Sequence, residues 1–305
     1  MTDRGVSIEP GTGEWLRRIS PSKVAAILGV SRWESQYRLW HRMKGITAQE
    51  PAKDIFDVGH DFEPALAAMY RRRHPGWLLS PGEVQISHDE DRFGFPCTVT
   101  LDRRARRGSH RRVVEFKTAR SLEEWGDDFT DDASDAYVAQ VLAQMIFTGY
   151  TDRPGHLFVM GPFFKAHEYE IAINEEIAQA ILERCRAFWD SLAGDTPPDL
   201  DDSVATYECV REQHPDIEDR VAVVDSQLAL DALRSKVALE EIKRIERGNR
   251  TRLLDAMGNA KSAEALGVKV AGRSPHGSGS VSMTLQVKNL DRLIEATPSQ
   301  EEYAS

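Results

Sequence analysis

Two acids and a lysine in the stretch 98–117, TVTLDRRARRGSHRRVVEFK, are the residues best placed to do chemistry. Residues 98–101 are a short β-prone run that ends on Asp102. A basic turn follows, with Arg103, Arg104, Arg106, Arg107, Gly108, His110, Arg111 and Arg112. Residues 113–117 then read as a second strand. Strand side chains alternate between faces, so Glu115 and Lys117 share one face while Val114 and Phe116 take the other. If the two strands pair as a hairpin, Asp102 approaches Glu115. Two hard carboxylates side by side suit Mg²⁺ or Mn²⁺, ions that keep waters and bind through one or two carboxylates plus a phosphate. One or two such ions polarise a phosphodiester, lower the pKa of water and steady a leaving oxygen. Lys117 can orient the water or offset phosphate charge. An isolated D…ExK pattern also fits a solvated hairpin of mixed charge, so the rest of the chain has to decide.

A chain of 305 residues holds one large domain, or a domain and an appendage. Its 41% hydrophobic and 29% charged residues are ordinary for a soluble globular protein. The formal net charge of −10 excludes a surface that binds nucleic acid everywhere. Contact with DNA must be local, and the arginine turn at 103–112 is the expected place. Cys97, Cys185 and Cys209 have no CxxC spacing. That argues against a disulfide framework, a zinc ribbon or a four-cysteine iron–sulfur cluster, and points to a reducing compartment. No apolar run of ~18 residues is present and the N-terminus has no apolar signal core, so a cytoplasmic protein without a membrane span is expected.

The elements that would position the acids can be read in order. Residues 1–13 are expected to be a flexible arm. Ser20 and Pro21 open a helix that runs to Gly29, with Val24, Ile27 and Leu28 on one face. Ser22 in its first turn, after Arg17 and Arg18, makes a phosphate site conceivable. Residues 31–44 place Trp33, Tyr37, Leu39 and Trp40 at helical spacing, a core face. Residues 55–70 form an amphipathic helix with Phe56, Phe62, Leu66 and Met69 on or near one side. Glu63 falls inside that pattern and needs a partner, either a basic side chain or a metal. Residues 80–96 read as strands, and 121–135 as a solvated acidic loop. In the helix at 137–147, Gln140 and Gln144 lie one turn apart on the same side. Strands at 157–160 and 168–173 and a long helix at 175–192 follow. Alternating helices and strands predict an α/β (mixed α+β) fold, a central mixed sheet flanked by helices. The breaker run 194–198, GDTPP, is taken as a domain boundary. Beyond it come a weak helix at 203–210, a long charged helical stretch at 225–257 and a small β-hairpin. The chain thus divides into 1–13, 14–195 and 196–305.

Five ordered blocks resemble the YqaJ-like viral recombinase group, the lambda-exonuclease branch of the PD-(D/E)xK nuclease superfamily. They are RRISPSKVAAILG, GHDFEP, the Asp102 strand, Glu115-Phe116-Lys117, and YVAQVLAQM followed by Thr148 and Gly149. The resemblance covers roughly residues 14–195 and implies a restriction-endonuclease-like nuclease core. It implies that Asp102, Glu115 and the Phe116 carbonyl hold the metal, with Glu63 as an outer acidic member. Lys117 would position water, and Gln140 would touch the active centre or scissile strand. Ser22 with Arg17 or Arg18 would hold a terminal 5′-phosphate. The family usually has Ser-Pro-Asp-Gly around the first acid, where this chain has Thr100-Leu101-Asp102-Arg103.

The function expected from the resemblance is a Mg²⁺- or Mn²⁺-dependent deoxyribonuclease, a 5′→3′ exonuclease on double-stranded DNA ends. It would release 5′-phosphomononucleotides and leave 3′ overhangs for phage-type recombination. Its implied partners are a single-strand annealing protein and copies of itself in a trimeric ring. An endonuclease or repair nuclease of the same superfamily is the nearest alternative. A DNA-binding or assembly module that has lost activity is the alternative from another class. The Ser22 block favours an end-directed enzyme over an endonuclease, and the intact acidic set argues against an inactive module.

Overall fold

The computed structural model describes residues 7–48, 54–122, 125–275 and 281–297. The helix backbone begins at residue 54, with side chains described from residue 58. The expected N-terminal arm is therefore described only from residue 7, and the apolar side chain expected at Phe56 lies outside the described residues. The chain divides into two compact units, residues 1–217 and 218–305.

The first unit opens with α1 (Gly13–Leu16), α2 (Pro21–Ile27), α3 (Gln36–Met43) and α4 (Asp54–Arg73). Next come β1 (Leu78–Leu79), β2 (Val84–His88), α5 (Glu90–Phe93) and β3 (Cys97–Leu101). The remaining elements are β4 (Arg103–Arg107), β5 (His110–Thr118), α6 (Asp135–Thr148), β6 (Gly155–Met160), β7 (Ala166–Ile171), α7 (Glu175–Ser191) and α8 (Val204–Gln213). A five-stranded sheet runs in the order β1-β4-β5-β6-β7, and β2 and β3 form a separate pair. β5 and β6 are parallel, while the other neighbours in the five-stranded sheet are antiparallel. A mixed sheet with helices on both faces is what the alternating pattern predicted.

Each face of the sheet has its own core. Val113, Leu157, Val159, Tyr169 and Ile171 pack with Val141, Leu142 and Met145 of α6 and with α2 and α7. On the opposite face, Val114, Phe116, Phe158, Met160 and Ala166 pack with Leu66, Ala67 and Tyr70 of α4. This is period-two alternation along β5 and β6, with each face sealed by a helix. Glu115 and Lys117 have the parity of the α6 face.

Several expectations need correction. The strand before Asp102 pairs with β2, and the hairpin partner of Glu115's strand is β4. The arginine turn is this hairpin, with only Gly108 and Ser109 at its tip. Arg103 and Arg112 are buried in it, and Arg106, Arg107 and Arg111 are exposed. Arg103 folds over the Phe116 ring and Arg112 over Trp77, so cation–π contacts replace solvent for both, with an ion pair to Glu63 for Arg103. Phe93, expected in a strand, sits on α5, and Trp33 is 59% exposed rather than core. Phe62 is 39% exposed on α4. The acidic loop is partly docked: the Glu168 amide donates to Asp128 Oδ1 at 2.6 Å.

The domain boundary at 195 also moves. α8 belongs to the first unit because it packs on α3. There Arg38 pairs with Glu212 at 2.9 Å, and Thr206 donates to Ser35 at 2.7 Å. The second unit contains α9 (Ser226–Met257), β8 (Ser262–Ala265), β9 (Val268–Pro275), β10 (Val281–Leu285) and α10 (Leu290–Ala296). Its strands form a three-stranded sheet, one more than the expected hairpin. Among the described residues no helix is long and apolar enough to cross a membrane.

Candidate active site

Asp102 is the single residue between β3 and β4, where the chain leaves one sheet and enters the other. Its partner strand β4 reaches only as far as the Arg103–Val114 pair, so β5 runs on without a neighbour on that edge. The Asp102 carboxylate fills the gap and accepts the Phe116 amide at 2.7 Å. In a strand a residue's N–H and C=O leave by the same edge. The Phe116 carbonyl therefore shares the edge that faces Asp102.

Glu115 is 2% exposed and fully partnered. Its Oε1 meets Lys117 Nζ at 2.5 Å and accepts Gln140 Nε2 at 2.6 Å. Its Oε2 accepts Gln144 Nε2 at 2.6 Å. Burial pushes the Asp102 carboxyl well above the ordinary carboxylate range, and the Glu115 carboxylate adds to that. Burial alone would lower the Lys117 pKa, but the Glu115 and Asp102 carboxylates reverse this and raise it. Burial and the neighbouring Glu115 carboxylate thus set the Asp102 charge in conflict with its surroundings. A divalent cation there would relieve the conflict, and hard oxygen donors suit Mg²⁺ or Mn²⁺. The residues fit such an ion.

Glu63 reaches the same neighbourhood from α4 through a basic partner. Arg103 Nη1 donates to Glu63 Oε2 at 3.3 Å and also to the Asp102 carbonyl oxygen. Burial and then the Glu83 carboxylate raise the Glu63 pKa. His60, Glu63 and Glu83 bring ligand-type atoms within 4.8 Å of one another. The basic partner expected for Glu63 is therefore Arg103.

The expected phosphate site divides. Ser22 is exposed in the first turn of α2, and its Oγ lies 3.0 Å from Ser20 Oγ. α2 packs on α6 through Ala25 against Ala136 and Ala139, close in sequence to Gln140. Arg17 is exposed, whereas Arg18 lies 3.7 Å from both Glu14 and Asp89. Buried Lys23 holds the turn between them, donating to the Trp15 and Arg18 carbonyls at 2.6 Å each. Burial, then the Arg42 charge, lowers its pKa to about 6.

Sequence reasoning did not assign roles to Gln144 or Tyr137, and placed Arg103 in a DNA-contacting turn rather than against Glu63. Gln144 is fully buried, and its Nε2 also donates to the Thr100 carbonyl at 3.2 Å. The available signal was a second glutamine four residues after Gln140 on an apolar helix. Tyr137, whose ring centre is 5.6 Å from Lys117 Nζ, stacks on Trp125. Gln144→Leu removes one of two amide donors to Glu115 and leaves Oε2 buried without a partner. We expect a loss of about 1–3 kcal/mol in stability, measured by denaturant unfolding, together with weaker cleavage.

Residues 14–151 match the model of the YqaJ-like viral recombinase domain. The Uncharacterized protein YqaJ of Bacillus subtilis (strain 168) is 25% identical over 223 residues, spanning 70% of this chain and 67% of that protein. Among solved structures, an alkaline exonuclease (LHK-Exo) from Laribacter hongkongensis aligns with a TM-score of 0.46 and 17% identity, over 60% of this chain and 93% of the other. A putative exonuclease from Eubacterium rectale aligns with a TM-score of 0.40 and 11% identity, over 74% and 98%. Over residues 14–151, a little under half of its length, this chain is therefore similar to the YqaJ-like viral recombinase domain.

Proposed function

We propose that this protein is a divalent-metal-dependent deoxyribonuclease that digests duplex DNA from its ends, 5′→3′, leaving 3′ overhangs. The observation that carries the reading is the convergence of Asp102, Glu115 and Lys117 at the open edge of β5, with Gln140 and Gln144 fixing Glu115. Maintaining a fold does not require two acids and a lysine to be gathered in one partly buried place. The match of residues 14–151 to the YqaJ-like viral recombinase domain agrees with it.

Asp102, Glu115 and the Phe116 carbonyl would hold Mg²⁺ or Mn²⁺, with Glu63 as an outer acid. Bound there, the ion would polarise the phosphodiester and lower the pKa of water. Lys117 stays protonated and directs its ammonium at the water or the phosphate. Gln140 and Gln144 hold the Glu115 carboxylate so that it does not turn away. Arg103 neutralises Glu63 and anchors the turn that carries Asp102. Arg17, free of the carboxylates that engage Arg18, would hold a 5′-phosphate with Ser22. The exposed Arg106, Arg107 and Arg111 would follow the duplex backbone, a local basic patch on an acidic protein. An annealing protein and further copies of the chain in a ring are its proposed partners.

The test is digestion of linear duplex DNA, end-labelled at 5′ or 3′ and with or without a 5′-phosphate, beside a covalently closed circle. Loss from the phosphorylated 5′ end with the circle spared is the expected result. Cutting of the circle would replace the exonuclease reading with an endonuclease.

A further inference from the structure

A second cluster of ligating side chains lies on the opposite face of the sheet from Glu115. His156 pairs in register with Val114, and Glu168 with Phe158, so both point toward α4. His74 follows the last turn of α4 and enters the same space. His156 and Glu168 are fully buried, and the His74 side chain is 16% exposed. His74 lies eleven residues beyond Glu63, roughly 16 Å at the rise of a helix, so this cluster is separate from the acidic site.

As a hydrogen-bond network the cluster does not close. His156 Nδ1 is approached by the Tyr70 hydroxyl at 2.9 Å, by Arg112 Nη1 at 3.3 Å and by Glu168 Oε1 at closer range. One imidazole nitrogen has either a proton or a lone pair, and cannot serve two donors and an acceptor together. The other nitrogen of His156, Nε2, is buried without a hydrogen bond. Glu168 Oε1 also lacks one, although it lies 2.7 Å from His74 Nε2, which hydrogen-bonds the other Glu168 oxygen, Oε2, at 2.9 Å. His74 Nε2, His156 Nδ1 and Glu168 Oε1 thus point at one another. Buried polar atoms left in that state are costly.

We propose that His74, His156 and Glu168 form a binding site for a borderline divalent cation of the Zn²⁺ class. Two imidazole nitrogens and a carboxylate oxygen are a ligand set for that ion. Bonds of about 2.0–2.2 Å at tetrahedral angles put donor atoms roughly 3.3 Å apart. The His74 and His156 ring centres lie 5.1 Å apart, and ligand atoms from all three residues fall within 4.8 Å of one another. Small side-chain adjustments therefore seat an ion. His156 Nε2–H would then face Glu170, whose carboxylate lies 3.6 Å away, the second carboxylate that often orients a metal-bound histidine. The surrounding charges accept the ion. Glu168, Glu170 and Asp128 oppose Arg73 and Arg112, leaving one net negative charge with neutral imidazoles. The site would pin the end of α4, the helix that carries Glu63, to β6 and β7.

The test uses the full chain stripped with a chelator and titrated with Zn²⁺ against a chromophoric competitor, then with Co²⁺. The expected result is one tight Zn²⁺ per chain, a four-coordinate Co²⁺ absorption band, and a melting temperature raised by Zn²⁺. His74→Gln, at the open side of the cluster, should keep the fold by circular dichroism and weaken Zn²⁺ binding at least ~100-fold. Asp102→Asn should retain the ion. Absence of tight binding in the wild-type chain, or an ion lost in Asp102→Asn and kept in His74→Gln, would overturn the proposal.

Discussion

Asp102→Asn is expected to lower Mg²⁺-dependent cleavage by a factor on the order of 10²–10³, the scale for losing one preorganised electrostatic group. The same change should leave the metal-free protein as stable as wild type or more so at neutral pH. Asn keeps an oxygen that can accept the Phe116 amide, the bond made at 2.7 Å in the wild-type chain. It also removes an acid whose ionisation is opposed by burial and by Glu115. The sign follows from proton linkage. A folded carboxyl with a raised pKa keeps its proton where the unfolded one has lost it, so stability falls as pH rises from the unfolded value, near 4, through the folded one. Metal-free wild type should lose stability over that window, and Asp102→Asn should lose less. Mg²⁺ should restore stability to wild type and have a smaller effect on the variant. Chemical denaturation at a series of pH values, with EDTA or Mg²⁺, measures all three.

Lys117→Met is expected to fail on both counts. Its ammonium is the cation against Glu115 at 2.5 Å, and Glu115 itself is buried. Removing one partner of a buried pair costs ~3–5 kcal/mol. The Lys117 side chain is 26% exposed and the two glutamine donors to Glu115 remain, so about 2–3 kcal/mol is the expected loss here. Cleavage should fall by a factor on the order of 10² or more. The two variants therefore separate activity from stability. One loses activity with an intact or firmer fold, and the other loses both. Unfolding curves beside initial cleavage rates distinguish that pattern from general damage at β5.

What was legible in the sequence depended on how local the cause was. Alternation along β5 put Glu115 and Lys117 on one face and Val114 and Phe116 on the other, because period two is a property of a single strand. The pairing of that strand was not local. Three β runs follow each other with Asp102 alone between the first two, and dense arginines made the second resemble a turn. Arg103 and Arg112 enter the sheet only because Glu63, Phe116 and Trp77 arrive from elsewhere to receive them. Gln144 could be seen as a polar residue one turn from Gln140, but its contact with Glu115 spans 29 residues. The breaker run at 194–198 looked like a boundary, and the contacts that draw α8 back onto α3 join residues over 170 positions apart. His74, His156 and Glu168 come from three elements with no shared spacing, so only the folded chain reveals them.

Asp102 and Glu115 are proposed here as the metal-dependent catalytic centre of a nuclease. The most direct test is the rate at which wild type and Asp102→Asn, both folded by circular dichroism, consume linear duplex DNA in Mg²⁺ and in EDTA. Rapid loss of DNA with wild type in Mg²⁺, none in EDTA, and a rate at least ~100-fold lower with the variant are the expected results. Undiminished cleavage by Asp102→Asn, or cleavage by wild type that persists in EDTA, would contradict the proposal.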